Sequence, residues 1–246
     1  MSIAGRFEAA LAEVTEPGLD GPELLPVRLA RACVRMLPVD GAGISIAGPG
    51  DRQIPLGTSS EHAASAERLQ FTVGTGPCMT AQDQREPVFA VLADLRRRWP
   101  GFADLLEEHT PYRAVVGLPL REAIAGLGAI DLYFTRDDDV AAIDVFEAMA
   151  VGDLVTSELS DTAVWSSWSP CRGPDWLHGP TAQRRAAVWD ALGLVSLALE
   201  MEAPEALAVL RGTAYASGRT VDEVAADVLT GALPAADLHR PAAGTT

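Results

Sequence analysis

The C-terminal third of the chain, VWDALGLVSLALEMEAPEALAVLRGTAYASGRTVDEVAADVL from Val188 to Leu229, leaves little choice of fold. Apolar residues at Val188, Ala191, Val195 and Leu199 recur at helical spacing. So do Leu207, Leu210 and Ala214, and then Val221, Val224, Ala225 and Val228. The breaks fall between these stripes. Pro204 suits the first turn of a second helix, Gly218 suits the residue after a helix end, and Thr220 with Glu223 has the spacing of a capping box. Three short helices with one apolar stripe each can bury those stripes only against one another, so a compact three-helix unit is expected.

Charge limits what such a unit can bind. The 246 residues carry a formal net charge of −15, and 48% of them are hydrophobic, enough for one large or two small cores. Non-specific attachment to nucleic acid or to an anionic membrane requires surface cations and is excluded as the main activity. All 19 basic residues are arginines, whose planar guanidinium suits phosphate and guanine wherever a few converge. Within the C-terminal unit Arg184, Arg185, Arg211 and Arg219 face a larger number of Asp and Glu residues, so any RNA contact there must be local and shape-dependent, with Tyr215 as a stacking surface. Cys33, Cys78 and Cys171 are odd in number and lack metal spacing, which fits a reducing compartment. No signal pattern or membrane-length apolar run is present, and a cytoplasmic location is expected.

The rest of the chain reads as α+β. Two amphipathic helices are expected between Ile3 and Met36, followed by a strand GAGISIAG at Gly41–Gly48 that pairs with RQIPLGTSS. A helix over Glu61–Leu69, a loop FTVGTGPCMTA, a short strand near Pro87–Ala90 and a polar helical segment ending near Glu108 come next. RAVVGLPLR and GLGAIDLYFT have the composition of central antiparallel strands, and a long helix from Val140 to about Leu159 closes the domain. The Pro-, Gly- and Ser-rich stretch 161–180 reads as a linker, although Trp165, Trp168 and Trp176 within it are expected either to dock on a domain or a partner chain, or to pack locally on an exit helix that extends past Trp165. The tail 234–246 reads as disordered.

In the C-terminal part, Ala191 and Gly193, the run EALAVLR at Glu205–Arg211, Ala214, and Arg219 before Val224 and Ala225 resemble the ANTAR domain, a three-helix RNA-binding module, over residues 181–233. Upstream, GTGPCMTA at Gly74–Ala81 followed by REPVFAVLADLRRRWPGF resembles the GAF sensory domains joined to ANTAR domains in actinobacteria, over residues 1–160. The resemblance implies a homodimeric regulator that binds RNA stem-loops to control transcription termination, with a small-molecule or protein signal at the GAF domain. Its implied RNA-binding residues are Arg184, Arg185, Arg211, Tyr215 and Arg219. Where the family usually carries a lysine, this chain has Leu192. That departure keeps a second reading open, a sensory adaptor or dimerisation protein with degenerate RNA binding.

Catalysis is not expected. His62, His109, His178 and His239 are isolated, no nucleophile elbow or phosphate loop occurs, and GTGPC lacks the later glycine and lysine of a phosphate-binding loop. Asp137–Asp139 and Arg96–Arg98 read as solvated surface, and no metal or cofactor is expected.

Overall fold

The computed structural model describes residues 2–48, 52–123, 126–165 and 173–238. Helices α1 (Ile3–Ala12) and α2 (Leu25–Met36) precede a hairpin of β1 (Gly41–Gly48) and β2 (Arg52–Thr58). Helices α3 (Glu61–Val73) and α4 (Pro77–Gln84), strand β3 (Val88–Ala90), and helices α5 (Leu92–Arg98) and α6 (Pro100–His109) follow. Strands β4 (Ala114–Ala123) and β5 (Gly126–Phe134) complete an antiparallel five-stranded sheet in the order β2-β1-β5-β4-β3. The chain then forms α7 (Val145–Trp165), α8 (Pro180–Leu199), α9 (Ala203–Ala216) and α10 (Val221–Thr230).

Side-chain alternation along the strands gives the sheet two unlike faces. Ile44, Ile46, Val116, Leu118, Ile130 and Leu132 pack with α1, α2 and α7 into one apolar core. On the opposite face Val115 and Tyr133 join Leu95, Phe102 and Leu106 beneath α3, α5 and α6. The register places Asp131 between Gly43 and Gly117 on this second face. A Cβ on Gly43 would lie 2.1 Å from Glu67 Oε1, so the glycine makes room for an acidic side chain above the sheet.

The C-terminal punctuation forms as the spacing predicts. Pro204 lies in the first turn of α9, Gly218 follows that helix at φ +64°, and Thr220 with Glu223 forms a capping box on α10. Val188, Ala191, Val195, Leu210, Ala214, Val224 and Val228 share one core.

Several expectations are corrected. The segment expected as a loop, FTVGTGPCMTA, is helical on both sides of a Gly74 cap at φ +79°, because α3 runs on to Val73 and α4 starts at Pro77. The closing helix begins at Val145, after a 3₁₀ turn at Asp137–Ala142. Within the stretch 161–180, α7 continues to Trp165 and a 3₁₀ turn at Asp175–His178 packs back onto that helix, while residues 166–172 lie outside the described residues. Trp176 is buried there, with Nε1 donating to Leu159 O at 3.1 Å. Trp168, Cys171 and the side chain of Trp165 lie outside the described residues. Helix α8 starts at Pro180, a full two turns before the first apolar stripe. Part of the tail is ordered, since Leu238 is buried in the three-helix core; residues 239–246 lie outside the described residues.

Candidate functional site: a buried polar cluster joined to an arginine clamp

Helix α3 carries the site on its last two turns. Glu67 and Gln70 point into the sheet, and Phe71 and Thr72 point into the three-helix unit. Gln70 holds the first half together: its Nε2 donates to Asp131 Oδ2 at 2.8 Å and its Oε1 accepts from Cys78 N at 3.1 Å. Tyr133 OH donates to Glu67 Oε1 at 2.8 Å, and the Tyr133 ring stacks on Tyr112 with centroids 4.9 Å apart. Ser45 Oγ lies 3.4 Å from Cys78 Sγ, and Gln53 Nε2 donates to both.

Burial governs the titration of this cluster. Desolvation, with the Asp131 charge beside it, pushes Glu67 well above the usual carboxylate range. Asp131 is raised to about 6 by burial, against the opposing hydrogen bonds led by Gln70. Cys78 is raised well above an ordinary thiol, first by burial and then by the Asp131 and Glu67 charges, so it stays a thiol at neutral pH and is a poor nucleophile.

The second half is a clamp. Phe71 is buried in the core of the three-helix unit although it belongs to α3. Arg185 Cζ lies 3.3 Å from the Phe71 ring centroid and Arg211 Cζ lies 4.8 Å from it, while Trp189 meets the ring edge-on at 5.8 Å. Arg211 Nε donates to Phe71 O at 3.0 Å, and Val221 N, an N-terminal amide of α10 with no partner in its own helix, donates to Thr72 Oγ1 at 3.0 Å. Arg185 is 1% exposed and reaches Asp222 through two long contacts of 3.4 and 3.5 Å. Its third contact is a bond to Gln53 O at 3.4 Å, on the strand that supplies Gln53 to the polar cluster. Desolvation lowers the Arg185 pKa; it also lowers that of Arg211, to about 10, with help from the Arg185 charge.

The five residues singled out for RNA do not form one face. Arg185 and Arg211 come together, but on Phe71 rather than toward solvent, because an aromatic ring from α3 fills the gap between α8 and α9. Arg211 therefore lies against Phe71 in this docked arrangement. Tyr215, 49% exposed, and Arg219 line a shallow groove against α3 and α6. Arg219 is tied to Asp227 at 2.7 Å and to Glu223 O at 3.0 Å. Arg184 is exposed at the start of α8, beside a different cleft. Leu192 is 7% exposed and belongs to the three-helix core, so a lysine there would be buried as the chain stands. Sequence reasoning missed Glu67, Gln70, Phe71 and Asp131. The one available signal was Asp131, a charge in the middle of an otherwise apolar strand.

No protein-family model matches this chain, and no curated protein matches it. Among solved structures it is similar to the GAF domain of a phosphoenolpyruvate-protein phosphotransferase from Coxiella burnetii, at 14% identity and TM-score 0.44, covering 68% of this chain and 97% of that one. It is also similar to a domain of a two-component sensor histidine kinase protein from Sinorhizobium meliloti, at 14% identity and TM-score 0.40, covering 69% of this chain and 99% of that one. A GAF domain of an Acinetobacter phosphoenolpyruvate-protein phosphotransferase is similar at 11% identity and TM-score 0.40, covering 69% of this chain and all of its own.

Proposed function

We propose that this chain is a signal-responsive regulator in which an N-terminal sensory unit of the GAF type restrains a C-terminal effector of the ANTAR type that acts, as a homodimer, on RNA stem-loops. The observation that carries this reading is the Phe71 clamp. Arg185 and Arg211 are the two cations of the three-helix unit that cost most to bury, and both are spent on one ring of the sensory unit. Cation–π contacts contribute about 0.5–2 kcal/mol each, enough to bias a docked state and small enough for a ligand to reverse. Undocking would release both guanidiniums from the ring, with Arg185 still beside Asp222 of its own unit, and open the α8–α9 face. Because α3 bears the clamp on one side and Glu67 and Gln70 on the other, a change in the polar cluster would act on the clamp through one rigid helix.

Filter binding to a pool of stem-loop RNAs tests the reading. The Phe71→Ala variant is expected to bind about tenfold tighter than the parent chain, a change of about 1.4 kcal/mol, and to lose that binding as salt rises. In the Phe71→Ala background, Arg211→Ala should then cost about 1–3 kcal/mol of RNA affinity.

The adaptor reading is favoured by Leu192, which is core rather than a ligand-facing charge, and by the acidic balance of the unit. Failure of Phe71→Ala to bind RNA while circular dichroism shows its helices intact, together with dimers in light scattering, would select it.

A further inference from the structure

We propose that the cleft between the two units binds a phosphoryl anion. The cleft has a volume of about 280 Å³ and is walled by both units: Arg31 from α2, Thr58 from β2, Arg68 from α3, and Thr181, Arg184 and Arg185 from α8.

Within this cleft two guanidiniums have no ion pair among the described residues, in a chain whose net charge is −15. Arg31 is answered by an ion pair with Glu16, and Arg185 by Asp222 at 3.4 Å. Glu67, the buried acid of the wall, is turned to the sheet, where its Oε1 accepts from Tyr133 OH at 2.8 Å, and burial raises its pKa well above the usual carboxylate range. Two guanidiniums remain. Arg68 bonds only the neutral hydroxyl of Ser65, at 3.0 Å, and Arg184 stands exposed without a hydrogen bond or ion pair among the described residues. Of the acids lining the cleft, Asp222 is paired with Arg185 and Glu67 is bonded to Tyr133, which leaves Glu61. Glu223, whose charge Arg68 also meets, lies in the neighbouring groove and is committed to Thr220 N and Oγ1 at 2.8 Å each. Arg68 and Arg211 both press on Arg185 as like charges, so an anion here would relieve repulsion as well as gain contacts.

The arrangement favours phosphoryl over carboxylate. A carboxylate offers two coplanar oxygens, which one guanidinium engages in a single bidentate pair. Here two guanidiniums and the Thr58 and Thr181 hydroxyls reach the cleft from three elements, which suits a tetrahedral anion with oxygens on all sides. The remaining wall, Leu24, Val27, Pro55 and Ala64, is apolar and would receive the organic body of a phosphate ester. Arg68 belongs to the sensory unit and Arg184 to the effector, so one bound anion bridges the two and stabilises the docked state. This consequence rests on the regulatory reading; the binding itself does not.

Calorimetric titration of the full chain with phenyl phosphate and with inorganic phosphate is the test, with phenol as the uncharged control. Saturable binding of phosphate or its ester, a raised Tm, no response to phenol, and a loss of about tenfold or more in each of Arg68→Gln and Arg184→Gln are expected. Arg97→Gln, remote and exposed, should leave affinity unchanged. Tighter binding of phenyl phosphate identifies an ester as the ligand class, and equal binding identifies free phosphate. No saturable binding of either anion at millimolar concentration, or binding that both Arg68→Gln and Arg184→Gln leave intact, overturns the proposal. Arg68 is outside the RNA set, so loss of RNA binding with phosphate binding retained refutes only the regulatory reading, and the converse result refutes only this site.

Discussion

Asp131 sits where a carboxylate is disfavoured, fully buried on the sheet. A carboxyl group beneath a helix, with Oδ1 lacking any partner among the described residues, is destabilising once ionised. Its pKa is raised from 3.8 to about 6, so the folded state binds the proton more tightly than the unfolded state. Stability is therefore greatest below the unfolded value and is lost as pH rises from about 4 to about 6. Glu67 is raised in the same sense, and the two acids titrate as a pair. Asp131→Asn keeps an oxygen for Gln70 and removes the charge. Urea unfolding from pH 4 to 8 should show the parent losing about 1–3 kcal/mol across that window and the variant losing less, ending more stable than the parent at neutral pH. A variant less stable than its parent at every pH would mean that the ionised carboxylate is needed.

At the scale of the element, α3 is a helix shared by two cores, and α10 depends on it. The first turn of α10 is satisfied from two sources, its own Thr220–Glu223 box and Thr72 Oγ1 from α3. Thr220→Ala should cost about 1 kcal/mol through the lost cap. Thr72→Val keeps the shape but leaves the Val221 amide buried and unpaired, at a cost of about 1–3 kcal/mol. Hydrogen exchange distinguishes the two: Thr220→Ala should loosen chiefly α10, whereas Thr72→Val should raise exchange across α8, α9 and α10 together as docking weakens. Equal, local effects would show that Thr72 serves only as a cap.

At the scale of the whole molecule, a phenylalanine from one unit completes the core of the other, so the two should unfold as one. The parent chain is expected to show a single urea transition. Phe71→Ala, a large-to-small change in a closed core with a typical cost of about 3–5 kcal/mol, should split it, with α8–α10 melting first. The helical stripes, the caps at Gly218 and Thr220, and the paired strands around Val115 and Ile130 were legible in the sequence because each depends on neighbours within a turn or on simple alternation. The polar cluster and the clamp were not. Gln70, Phe71 and Asp131 acquire their roles only when the sheet register sets Asp131 beside Gly43 and brings α3 against α8 and α9. Local periodicity determined most of the helices and strands, α4 excepted, whereas long-range packing decided which arginines face solvent, because burial and pairing depend on residues more than a hundred positions apart in the chain, such as Phe71 with Arg185 and Arg211.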